Sequence, residues 1–96
     1  MNLALILCAA LASPLTHFHT TFDCESLPQP VIVILECEPC SGDPLPLLDF
    51  TCQHVCPPAY LDWYPKAKPP CRVTAYVYTG PMLEFNYSET VALGCP

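Results

Sequence analysis

Eight cysteines are spread through a chain of only 96 residues. A chain this short buries too little surface to be comfortable without cross-links, a metal or a partner, so the use made of these cysteines decides which folds are open to it. That use depends first on the compartment. Leu3 to Ala12 is an uninterrupted run of ten apolar residues, followed by Ser13 and Pro14. It is too short to span a bilayer as a helix, but it suits the hydrophobic region of a secretory leader, and Ala10-Leu11-Ala12 has the small-x-small form of a cleavage site. No Lys or Arg stands near Met1, so the free amino terminus supplies the only positive charge there. Residues 1–12 are expected to be a signal peptide. The mature protein is then secreted and extracellular, with no membrane span.

Cleavage before Ser13 removes Cys8. What remains is Cys24-x12-Cys37-x2-Cys40-x11-Cys52-x3-Cys56-x14-Cys71-x23-Cys95, read first as a disulfide framework because the route is oxidising. Seven is odd. At least one thiol is free, bonds another chain, or has lost its partner.

Composition removes several classes. Hydrophobic residues make up 52% of the chain and charged ones 12%, which argues against disorder. The thirteen prolines recur to the end of the chain and argue against a helical bundle, where each interior proline costs about 3 kcal/mol. Three basic residues against nine acidic ones leave a formal charge of −6, so a nucleic-acid partner would meet almost no cation.

Residues 13–23 read as an untethered N-terminal arm, ahead of a single domain over residues 24–96. His17 and His19 flank Phe18 in the arm; two tail histidines sometimes share a metal ion, but more often do not. The β-branched run Val31-Ile32-Val33-Ile34-Leu35 reads as a strand, either buried on both faces or pressed against a partner. Residues 41–48 and 57–70 are proline-broken loops. The second carries Tyr60, Trp63 and Tyr64 beside the only lysines, Lys66 and Lys68. These aromatics form either a recognition surface or a small local cluster.

Residues 83–93 place Leu83, Phe85, Tyr87, Val91 and Leu93 on one face, interrupted by Glu89, with Glu84, Asn86, Ser88 and Thr90 on the other. Residues 72–78 alternate likewise, with Val73, Ala75 and Val77 on one side. That period of two predicts paired strands joined by the turn Thr79-Gly80-Pro81-Met82 and bracketed by Cys71 and Cys95. Asn86-Tyr87-Ser88 is an N-glycosylation sequon on the polar face of this hairpin.

Other chemistry finds less support. Cys37, Cys40, Cys52 and Cys56, with His54 as an alternate, could supply zinc ligands, but only in a reducing compartment. Cys37-Glu38-Pro39-Cys40 lacks the βαβ surroundings of a redox motif. Glu36 and Glu38 flank Cys37 on one side of an extended segment, where two carboxylates are usually just solvated. No catalytic residue, cofactor or metal is assigned, and no enzyme activity is expected.

The order of cysteines, together with the closing run Tyr87-Ser88-Glu89-Thr90-Val91-Ala92-Leu93-Gly94-Cys95, resembles the β-subunits of the glycoprotein hormones over residues 24–95. Cys52-Gln53-His54-Val55-Cys56 stands where that family has a CAGYC-type segment, and Thr90 to Cys95 where it has a YPVALSC-type one. The resemblance implies a cystine knot with elongated β-hairpins, a small disulfide-rich all-β fold. It implies that Cys24 pairs with Cys71 and Cys52 with Cys95. The knot's third bridge would join Cys56 to a cysteine two positions beyond Cys95, past Pro96. The family partners of Cys37 and Cys40 are also missing, and His54 replaces the family's central glycine. Cys37 or Cys40 would then seek Cys56, leaving one thiol over.

On this basis the leading expectation is a secreted signalling protein acting by receptor and partner-subunit binding. The resemblance implies a hormone α-subunit and a leucine-rich-repeat, seven-helix receptor as partners, and the odd thiol implies a disulfide-linked dimer. A secreted disulfide-stapled inhibitor using the aromatic loop is the second reading, and an intracellular zinc module the third. N-terminal sequencing of protein recovered from the medium should read from Ser13; recovery only from cytosol, with Met1 or Asn2 intact, would overturn secretion and the disulfide framework with it.

Overall fold

The structure, a computed structural model, describes residues 17–40, 47–67 and 70–95. The expected signal peptide and residues 13–16 of the arm lie outside them. The described residues form a small all-β protein of six strands: β1 (Phe18–Thr21), β2 (Val31–Glu38), β3 (Asp49–Val55), β4 (Tyr60–Trp63), β5 (Cys71–Thr79) and β6 (Glu84–Leu93). Strands β3-β2-β5-β6 make one antiparallel sheet in that order, and β1 pairs with β4 in a second, two-stranded sheet.

The apolar run after Pro30 becomes β2, and its two faces differ. Val31, Val33, Leu35 and Cys37 are wholly buried, while Ile32, Ile34, Glu36 and Glu38 are only half-buried. Successive side chains of a strand point to opposite faces, so these sets define an inner and an outer face of the larger sheet. On the inner face, Val55, Cys71, Val73, Ala75, Val77 and Leu93 join the β2 residues. Phe18, Leu61 and Trp63 of the small sheet belong to the same core cluster, so β1 and β4 supply its second layer.

The predicted hairpin is present as β5 and β6, paired from Cys71↔Leu93 to Thr79↔Glu84. Its turn contains Gly80 at φ +85°, where a side chain would be strained, and the Gly80 N–H donates to the carbonyls of Pro28 and Pro30. The expected facing is corrected in part. The register shifts between Val77 and Tyr78, so that Val77 pairs with Tyr87 and Tyr78 with Phe85, leaving Asn86 as the extra residue. Beyond this bulge, Phe85 lies with Tyr78 on the outer face, and Leu83 is an exposed turn residue. Glu89, the interruption in the apolar face, has a partner: the Thr20 hydroxyl donates to its Oε1 at 3.0 Å, tying β6 to β1.

The untethered arm is a second correction. Phe18–Thr21 forms a strand because Phe18 (1% exposed) is a core side chain, and Phe22 follows it inward. The third correction concerns the bridges. Cys24 is bonded to Cys56 and Cys40 to Cys95, in place of Cys24–Cys71 and Cys52–Cys95. Cys24 bonds beside Val55, the partner of Val31, whereas Cys71 opens β5 beside the Glu38 end. Those ends lie about 23 Å apart at a strand's rise per residue. Cys52 sits on β3 and Cys95 follows β6, the opposite edges of the sheet, about three strand spacings or 14 Å apart. Neither pair is within bonding reach.

Phe18→Ala should lower unfolding free energy by about 3–5 kcal/mol, as expected for a core aromatic. Met82→Ala, at a turn side chain 80% exposed, should stay within about 0.5 kcal/mol. Denaturant titration of both variants distinguishes a docked β1 from a loose arm.

Candidate functional site

The register places outer-face side chains in rows across the large sheet. His54, Ile32, Tyr78 and Phe85 form one row; Cys52, Ile34, Tyr76 and Ser88 form the next; Phe50, Glu36, Thr74 and Thr90 form a third. Phe50 is 54% exposed, and Tyr78 meets Phe85 edge-on with ring centroids 5.7 Å apart. Among the described residues no second layer covers this face. The charges on it are locally engaged. Glu38 faces Arg72 at 3.8 Å, and the Tyr76 phenol is held above its ordinary pKa by partial burial first and then by Glu36, whose carboxylate accepts its hydrogen bond. Tyr76 is therefore a neutral donor at physiological pH.

Cysteine exposure follows the same division into faces. Cys37 and Cys71 are free thiols buried on the inner face; Cys52 is a free thiol exposed on the outer one. His54 is exposed two residues further along β3.

A second surface lies on the solvent side of the small sheet. Asp62 pairs with His19 across the strands, and its Oδ1 lies 2.6 Å from His19 Nδ1 and 3.4 Å from His17 Nε2. The His17 ring stacks on Tyr64 at 4.6 Å with 12° between planes, and His19 lies beside Tyr60 at 6.5 Å. Tyr60 and Tyr64 thus stand exposed, as one sequence reading expects, but Trp63 is 8% exposed and packs in the core. Trp63 leaves the recognition set because β4 alternates: Leu61 and Trp63 point in, Tyr60 and Asp62 out.

Asn86 is exposed at the bulge, and its Nδ2 donates to the Thr79 hydroxyl at 3.2 Å. It lines an open cleft of about 450 Å³ with Pro28, Thr79, Pro81, Met82 and Phe85. The sequon is therefore presented on the surface beside the hairpin turn.

Among the described residues no group of three His, Cys, Asp or Glu side chains has metal-holding geometry. Glu36 and Glu38 are engaged with Tyr76 and Arg72 rather than with one another. The first surface offers aromatic and aliphatic side chains, the second histidine, tyrosine and a carboxylate. Compared with family models, curated proteins and solved structures, the chain matches none.

Of the outer-face residues, Phe50, Tyr76 and Tyr78 carried no assignment in sequence and Phe85 was set on the opposite face, whereas Ile32 and Ile34 belong to the run read as buried on both faces or pressed against a partner. Endoglycosidase treatment of secreted protein should raise its mobility, and Asn86→Gln should abolish the shift. An equal shift in the variant would show the site unused.

Proposed function

We propose that this chain is a secreted signalling protein that works as a binding subunit: its outer sheet face takes a second copy of the chain, and its histidine–tyrosine face is offered to a receptor. The observation that carries the reading is the position of Cys52, an exposed free thiol on the face that also carries Ile32, Ile34, Phe50, Tyr76, Tyr78 and Phe85. A two-fold axis passing beside Cys52 brings the same patch and the same thiol together from both copies, which is the self-complementary arrangement of a symmetric dimer.

Area supports a covalent link. Four strands spaced by 4.8 Å and about seven residues long give a flat face of roughly 450 Å² per chain. Stable non-covalent interfaces bury about 800 Å² per partner, so this face alone is small. A disulfide through Cys52 makes the remaining contacts intramolecular and offsets the shortfall. The subunit-and-receptor division of labour is the one implied by the resemblance to glycoprotein hormone β-subunits. The aromatic-loop inhibitor is the weaker alternative, since Trp63, its largest side chain, is a core residue.

The test is non-reducing electrophoresis of protein alkylated as it is harvested from the medium, followed by sedimentation. The expected result is a disulfide-linked dimer that Cys52→Ser converts to a folded monomer. Wild type recovered as a monomer with Cys52 alkylated would overturn the reading.

A further inference from the structure

The two buried thiols have a chemistry of their own. Cys37 lies on β2 and Cys71 on β5, neighbouring antiparallel strands of the large sheet. Cys37 stands opposite Val73, so Cys71 is its diagonal neighbour, two residues along β5 and on the same inner face. Both are 0% exposed. Diagonal neighbours are ordinarily about 7–8 Å apart, slightly beyond disulfide reach, but strand twist draws one diagonal together. Here β2 ends at Glu38, one residue past Cys37, and β5 begins at Cys71, so the pair sits where the ladder stops and the backbone can adjust.

From this juxtaposition we infer that Cys37 and Cys71 form a third intrachain disulfide, closed while the chain folds in the presence of a disulfide oxidant such as oxidised glutathione. Among the described residues nothing else in the inner layer can take either sulfur, because Cys24, Cys40, Cys56 and Cys95 are already bonded and Cys52 points from the other face. The inference is independent of the dimer reading, although it bears on it. With this bridge made, the seven cysteines from Cys24 onward resolve into three pairs and Cys52, and the remaining thiol is the exposed one.

The exchange balances in two steps. One thiolate of the pair attacks a sulfur of oxidised glutathione, displacing the first glutathione thiolate and leaving a mixed disulfide. The second thiolate then attacks the protein sulfur of that mixed disulfide and displaces the second glutathione. Two protein thiols are oxidised and one glutathione disulfide is reduced to two thiols, the two protons lost by the protein thiols being taken up by the displaced glutathione thiolates.

Timing follows from burial. In the folded, reduced state the Cys37 thiol is pushed up to about 12, by desolvation first and then by the adjacent Cys71, which also places the two sulfurs side by side. A group that protonated attacks slowly at neutral pH. The bridge therefore forms before the core closes around the pair. Oxidation of folded, reduced protein should be at least about tenfold slower than oxidation in denaturant, where an ordinary thiol pKa of about 8.5 returns.

The experiment is disulfide mapping of the full chain refolded in a glutathione redox buffer, alkylated under denaturing conditions and cleaved after Lys, Arg and Glu and before Asp. Peptide 67–72 then contains Cys71 alone, and peptide 37–42 contains Cys37 with Cys40. The expected result is one assembly in which 37–42 is joined both to 67–72 and to the Cys95 peptide, with fragmentation assigning Cys37 to Cys71. In Cys71→Ala, Cys37 should be recovered alkylated. Recovery of wild-type 67–72 alkylated, or joined to a peptide bearing Cys24, Cys52 or Cys56, would overturn the inference whatever the oligomeric state proves to be.

Discussion

Strand β2 is hydrogen-bonded along both edges, and its register fixes the rest of the molecule. Pairing Val31 with Val55 on one side and with Thr79 on the other puts Val31, Val33, Leu35 and Cys37 on the inside. A slip of one residue would expose that set and drive Glu36 and Glu38 into the core, so the alternation at the end of the strand holds the register against its neighbours. From that register follow the opposite placements of Cys37 and Cys52, the rows of the outer face, and the ends at which bridges can form. Cys24–Cys56 closes the Val31 end, and Cys40–Cys95 joins the segments beyond β2 and β6 at the other. Bridges closing loops of 32 and 55 residues contribute about 2–4 kcal/mol each, a large share of the stability open to a domain this small.

How much of this could be read in advance depended on whether a strand's two faces contrast. Strand β5 alternates cleanly and β6 does so from Tyr87 onward apart from Glu89, so their hairpin was legible, and β2 announced itself through its β-branched residues. Strand β3 turns Asp49, Thr51 and Gln53 inward and Phe50, Cys52 and His54 outward, reversing the usual contrast, and it was not recognised. Strand β1 offers four residues, too few for a period, although Phe18 and Phe22 around polar positions were a usable signal. The bulge at Asn86 was invisible because one extra residue leaves the composition of the strand unchanged while moving Phe85 to the other face.

The bridges were beyond reach for a different reason. Pairing depends on which strand ends meet in space, and seven cysteines admit many connectivities that spacing cannot rank. The candidate surface residues were half visible. Tyr60 and Tyr64 were picked out for lying in a proline-stiffened loop, but so was Trp63, which the alternation of β4 turns into the core. The outer face needed the sheet order, since its members come from four strands.

The molecule measures 55 × 33 × 19 Å, so along its shortest axis it is little more than two sheets thick. A wafer of this kind has almost no residue more than one layer from solvent, and the water on its uncovered face is held there at a free-energy cost. Covering that face would therefore stabilise the fold as well as the complex, and the two equilibria become one. Each tenfold excess of partner over its dissociation constant adds about 1.4 kcal/mol to the folded state. Copies meeting few partners would sit nearer the unfolding threshold, open to proteolysis, while assembled ones would escape it. Were a partner to cover that face, the thinness of the sheet would become a means of metering supply: how much protein persists would depend on how much of it is covered.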